Sequence, residues 1–323
     1  MNAPRKPAAD LTRSELPSAD HRPARDGAAG ARRPRARRHR LAIFFGLAFA
    51  LSWFPWPLVL LNPDSSAMVP FGPLLAAVVA AALSGGSRSV RALLGQLRHW
   101  RAGPRWYLAA LLTPMLVTGT AAAITLISTS AVVVHRPLDW PQVAATFAST
   151  VILVGLFEEV GWRGYALPAL GPRLGELRAS LIIGAVWSLW HLPLLISEPT
   201  GQRPVAQFLI LVVAQSLFLG WLYRSGSAGL LLVVLSHAAV DTVVRLVLPQ
   251  FSGNSYHLIW WWQSAMWVLV AIIAGVSLHS RDRTRTVEGP TAARLGDELD
   301  EVEVEDGRRG IPRCLLCRSR GSG

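Results

Sequence analysis

Eight apolar stretches, each about 17–25 residues long, follow one another between residues 41 and 280. A helix rises about 1.5 Å per residue, so some 20 residues cross the roughly 30 Å hydrocarbon core of a bilayer. In that core the backbone must satisfy its own hydrogen bonds, which leaves helices or closed barrels. Stretches of this length predict helices: Leu41–Leu61, Ala67–Leu83, Trp106–Ile127, Val143–Leu167, Ala179–Ile196, Val205–Tyr223, Ala228–Leu248 and Leu258–Leu278. The expected class is an all-α polytopic membrane protein in contact with the lipid bilayer. Only 16% of the 323 residues are charged, against about 25% in a typical soluble protein.

The connections alternate in charge. Residues 84–105 hold five arginines and 168–178 hold two, and Arg224 stands alone between the sixth and seventh stretches. The intervening connections hold none (62–66, 249–257) or one each, Arg136 and Arg203. Lys and Arg are retained on the cytoplasmic side, so both termini are expected there, in a multi-pass protein of the plasma membrane. Residues 1–40 carry eleven Lys/Arg against four acids and almost no large apolar residue. They read as a disordered tail whose charge marks the cytoplasmic side, and nucleic acid is not an expected partner. Residues 41–280 form the membrane domain. Residues 281–323, with nine basic and nine acidic side chains, read as a second disordered tail. Its Cys314 and Cys317 lack the further ligands a zinc knuckle needs. Residues 87–105 suggest an amphipathic helix on the interface, and Trp260, Trp261 and Trp262 an interfacial belt.

Few strongly polar side chains lie within the spans, and an ionisable group in a membrane helix is a functional candidate by default. They are Glu158, Glu159 and Arg163 in the fourth stretch, His191 in the fifth, and His237, Asp241 and Arg245 in the seventh. Glu159 and Arg163 are four apart and share a helix face, where they pair. Glu158 is turned about 100° away and has no local partner. A packing salt bridge accounts for the pair but not for this second carboxylate. His191 follows Trp187 by one turn. His237, Asp241 and Arg245 form a ladder on one face, so Asp241 either orients His237 or pairs with Arg245. Counted from the cytoplasmic ends, Glu158, His191 and His237 lie at similar depth, about 14–18 Å in, and are expected to meet below the cytoplasmic surface.

One carboxylate and two imidazoles suit hydrolysis. Glu158 would take a proton from water that His191 helps to hold, and a group on the seventh span would stabilise the oxyanion. Glu158, His191 and His237 are also a possible zinc or other divalent-metal set, although no H-E-x-x-H helix is present. The alternative class is a non-enzymatic membrane protein, such as a proton-coupled transporter or an immunity scaffold. A transporter more often shows repeated halves and broken helices, and neither is visible.

Glu158-Glu159-x-x-x-Arg163, then Trp187-x-x-x-His191, then His237-x-x-x-Asp241, on successive spans, resembles the CPBP (CAAX protease and bacteriocin-processing, Abi) family of intramembrane proteases. The likeness covers about residues 145–248. It implies an eight-helix bundle and hydrolysis of a peptide bond in a membrane-associated protein or peptide, commonly as a metalloprotease. It assigns Glu158 and His191 to water activation, Glu159 and Arg163 to a supporting pair, and His237 with residue 241 to the oxyanion side. Two positions depart from the pattern: Trp187 stands for Phe, and Asp241 for Asn. An Asn amide can donate to an oxyanion, whereas an ionised Asp only accepts. On this reading either Asp241 is protonated, or it orients His237 and leaves His237 as the donor.

Overall fold

In the computed structural model the described residues are 26–62, 65–129, 139–197 and 203–309. Among them there is no strand, and eight helices are long and apolar enough to cross a membrane: α1 (His39–Val59), α2 (Gly72–Arg98), α3 (Pro104–Thr129), α4 (Trp140–Leu174), α5 (Glu176–Ser197), α6 (Val205–Ser225), α7 (Gly229–Gln250) and α8 (Gly253–Thr284). These follow the eight apolar stretches. The backbone is also helical over Asp26–Trp53 and Gly253–Arg309, so helix continues past the boundaries at 40 and 281 expected for the tails. Residues 1–25 and 310–323, with Cys314 and Cys317, lie outside the described residues.

Packing depends on small side chains. Lipid gives helices no hydrophobic reason to associate, so close backbone approach and van der Waals contact must supply it. Buried Ala76, Ala77, Ala80 and Ala81 line the inner face of α2, which packs on the second half of α4. At that crossing a Cβ on Gly161 would stand 2.6 Å from the Pro73 carbonyl oxygen. At the α4–α7 crossing a Cβ on Gly155 would stand 2.8 Å from the Val234 carbonyl oxygen. Helix α6 lies between α5 and α8, and α3 packs on α7 and α8. Large apolar residues such as Leu116, Ile273 and Val276 remain exposed on outward faces, where lipid would solvate them.

Two local features differ from the sequence reading. Helix α2 kinks at Gly85–Gly86, where Gly86 takes φ 61°, a conformation that favours glycine. Beyond the kink Arg88 and Arg91 are exposed while Leu93 is buried in the core, so this segment packs on the bundle. The three tryptophans divide: Trp261 is exposed, but Trp260 is buried and lines a cavity.

Candidate active site

Helix α4 is 35 residues long and is not uniformly α-helical. Glu158 and Glu159 sit in a short α segment, Phe157–Glu159, between two π-helical segments, Val151–Leu156 and Val160–Ala166. Such π insertions concentrate at functional sites because they re-aim side chains within a continuous helix. Here two adjacent carboxylates point to different environments, and both are buried.

Glu159 faces inward. Its Oε1 and Oε2 accept from Arg163 Nη1 at 2.8 and 3.0 Å. The same Oε1 lies 2.7 Å from Nδ1 of His237 on α7. A carboxylate only accepts, so Nδ1 carries the proton and Nε2 is left for other contacts. Of the two roles the sequence leaves open for Asp241, orienting His237 falls to Glu159 instead. Asp241 Oδ2 lies 3.8 Å from Arg245 Nη2 at a half-exposed position, which is the other option that the four-residue ladder left open.

Glu158 faces a cavity of about 1030 Å³ whose wall includes His191, His237, Asp241 and Arg245. Glu159 and Arg163 are not in that wall and support it from behind. Trp187 connects the two sides of the site. Its indole Nε1–H donates to Glu158 Oε2 at 2.7 Å. Its carbonyl accepts from His191 Nδ1 at 2.8 Å, which leaves His191 Nε2 free of a proton in the neutral ring. The Arg163 guanidinium lies 4.7 Å from the Trp187 ring centre, and the His237 ring packs edge-on to it at 5.2 Å. Arg163 Nη2 is buried without a hydrogen-bond partner, and the guanidinium as a whole gains the cation–π attraction of the indole.

The sequence shows Trp187 only as an aromatic residue standing for Phe. Its indole N–H is the missed functional group, because Phe has no donor to offer Glu158. Phe208 was also missed. Its ring packs 5.1 Å from His191 and lines the same cavity. Nothing in the sequence separates it from the other apolar residues of α6.

The expected convergence of Glu158, His191 and His237 on one cavity is observed, but the cavity runs the other way. Its wall continues to Met68, Leu194, Pro249 and Tyr256, towards the pole opposite the arginine-rich connections. The metal reading fits poorly. Each histidine holds its Nδ1–H against an oxygen, which is how a zinc-binding histidine is usually held. Yet among the described residues no group of three or more His, Cys, Asp or Glu side chains is placed to hold a metal ion.

Residues 140–243 match the family model described as type II CAAX prenyl endopeptidase Rce1-like. The chain is also similar to a protein named CAAX prenyl protease 2 from Methanococcus maripaludis. The two are 27% identical over 99 residues, which cover 28% of this chain and 36% of that relative. The matched region contains all three motifs, with Glu158, His191, His237 and Asp241 of the cavity wall, and ends two residues before Arg245. The motifs, their geometry and these two matches together support a likeness of residues 140–243 to the CAAX protease (CPBP) family.

Proposed function

We infer that this multi-pass membrane protein is an intramembrane endopeptidase, in which Glu158 is the base that activates water. The observation that carries this reading is a buried carboxylate with one oxygen held by Trp187 and the group open to a cavity that two histidines also line. A transporter or an immunity scaffold needs no such fixed carboxylate.

The chain's own groups can perform each step. Water binds between Glu158 and the unprotonated His191 Nε2. Glu158 takes one of its protons as the oxygen attacks the scissile carbonyl carbon. The carbonyl π electrons move to oxygen, and the oxyanion faces α7. His237 offers an Nε2–H there when it is an imidazolium held at Nδ1 by Glu159. That state sets Glu158, Glu159 and Asp241 against Arg163, His237 and Arg245, with Arg203 a further cation in the cavity wall. Buried charges are tolerated best when paired in this way. As the tetrahedral intermediate collapses, the C–N bond breaks and Glu158 returns its proton to the leaving amine. The products are a carboxylic acid and an amine.

Asp241 adds negative charge to the oxyanion side and no donor while ionised. Its role on this reading is to hold Arg245 at the cavity wall. No step is routed through a metal, because the three candidate ligands are not grouped to hold one. The plasma membrane is the proposed location.

The test is cleavage of a peptide library by the purified protein, comparing wild type with Glu158→Ala and His191→Ala. Both variants should lose cleavage while keeping the wild-type melting profile. Equal cleavage by all three would refute the assignment.

A further inference from the structure

The cavity reaches one pole of the bundle. Beyond the site itself its wall uses Met68 and Pro70 ahead of α2, Leu194 near the end of α5, Arg203 ahead of α6, Pro249 at the end of α7 and Tyr256 at the start of α8. All six belong to, or adjoin, the connections α1–α2, α5–α6 and α7–α8. No residue of the other connections, α2–α3, α4–α5 or α6–α7, is in the wall.

Those other connections gather at the opposite pole with the end of α8. Tyr223 Oη donates to Gln96 Oε1 at 2.8 Å, and Ser227 Oγ to the Arg101 carbonyl at 2.5 Å. The backbone N–H of Glu176, at the start of α5, donates to Asp282 of α8 at 2.8 Å. Arg224 Nε donates to the Glu176 carboxylate at 2.7 Å.

The two poles differ sharply in Lys and Arg. The pole away from the cavity carries the five arginines of 84–105, the two of 168–178, Arg224, and Arg281 and Arg283 at the end of α8. Among the described residues the connections at the cavity pole carry only Arg203, and in the sequence the segment between α3 and α4 adds only Arg136. The cations of the cavity wall are engaged there: the Arg203 guanidinium lies 5.0 Å from the Phe208 ring centre, and Arg245 faces Asp241. Short loops rich in Lys and Arg stay in the cytoplasm, which assigns the arginine-rich pole to that side.

We propose that the cavity opens on the non-cytoplasmic face of the membrane, and that its substrates are peptide segments presented from that face. The naming of a substrate rests on the peptidase reading; the direction of opening does not. An exported peptide, or the outer juxtamembrane segment of a membrane protein, can reach Glu158 by this route. A cytoplasmic protein with a lipid-bearing C-terminus cannot. The wall offers mainly apolar and aromatic side chains, Phe208 and Trp260 among them, so the segment cleaved should be apolar around the scissile bond.

Orientation can be measured without catalysis. Ser252 is exposed in the α7–α8 connection and Ser87 is exposed near the α2 kink, at opposite poles. Each is changed to Cys in a chain whose Cys314 and Cys317 are replaced by Ser. In intact spheroplasts a membrane-impermeant maleimide should label Ser252→Cys at once and Ser87→Cys only after lysis. The reverse pattern, or equal labelling of both, overturns the proposal. A green fluorescent protein fused after Gly323 gives an independent reading: bright cells support the proposal, and a dark full-length fusion in the membrane overturns it. A third arm offers an impermeant peptide library to sealed right-side-out and inverted vesicles. Cleavage confined to the right-side-out vesicles supports the proposal, and cleavage confined to inverted vesicles overturns it. Absence of cleavage in both, and in detergent, refutes the peptidase reading while the labelling still decides the orientation.

Discussion

Changing Trp187 to Phe removes one donor from the site and keeps an aromatic ring. The lost contact is the 2.7 Å bond from the indole N–H to Glu158 Oε2. A hydrogen bond to a charged group contributes about 1.5–3 kcal/mol. At about 1.4 kcal/mol per tenfold in rate, releasing Glu158 should lower kcat by roughly 10- to 100-fold. KM should change little, since the bond fixes the base rather than the substrate. The smaller ring also weakens the stacking of Arg163 and His237, so a packing control is needed. Trp162 serves, being fully buried with an Nε1 that has no hydrogen-bond partner. Trp162→Phe removes the same atoms from the same helix bundle without removing a hydrogen bond. Steady-state cleavage of a quenched-fluorescent peptide selected by the wild type, with melting curves for each variant, separates the two effects. Both variants should lose similar stability, and only Trp187→Phe should lose kcat. Equal activity in the two variants would refute the claim that the indole N–H holds the base.

Three further outcomes follow from the geometry. Asp241→Asn should keep or raise activity, because Glu159 already orients His237 and an amide adds a donor facing the oxyanion; a large loss in kcat would show that the carboxylate itself is used. Gly161→Ala would drive a Cβ against the backbone of Pro73, and overpacking of this kind costs about 1–3 kcal/mol. The melting temperature in detergent should fall, and an unchanged value would mean that α2 and α4 part freely. Chelator treatment should leave cleavage unchanged, since among the described residues no three His, Cys, Asp or Glu side chains are grouped to hold a metal; loss restored by zinc would show that Glu158, His191 and His237 close on a metal in solution.

The membrane spans were legible because the requirement that makes them is local. Lipid demands about 20 consecutive apolar residues wherever a helix crosses, and no distant contact alters that count. The Glu159–Arg163 pair was legible for the same reason, since four residues along a helix bring two side chains to one face. Helix ends were less so. Helix α4 runs on through Pro168 and Pro172 to Leu174, where its last turns pack on α5.

Which acid serves which base was decided only by packing. Asp241 is four residues from His237 in sequence, while Glu159 is 78 away and yet makes the bond. The close crossing of α4 and α7, allowed by Gly155 against Val234, sets the Glu159 carboxylate beside His237. The donor role of Trp187 was likewise invisible, since an indole N–H does chemistry only when an acceptor is set opposite it. The amino-acid sequence by itself determined the number of helices, the pole at which arginine collects and the side chains available for chemistry, because these follow from composition and from spacing within one helix. Only the tertiary structure decided which carboxylate faces the cavity, which orients the histidine and which pole the cavity reaches, because those depend on how helices far apart in the chain lie against one another.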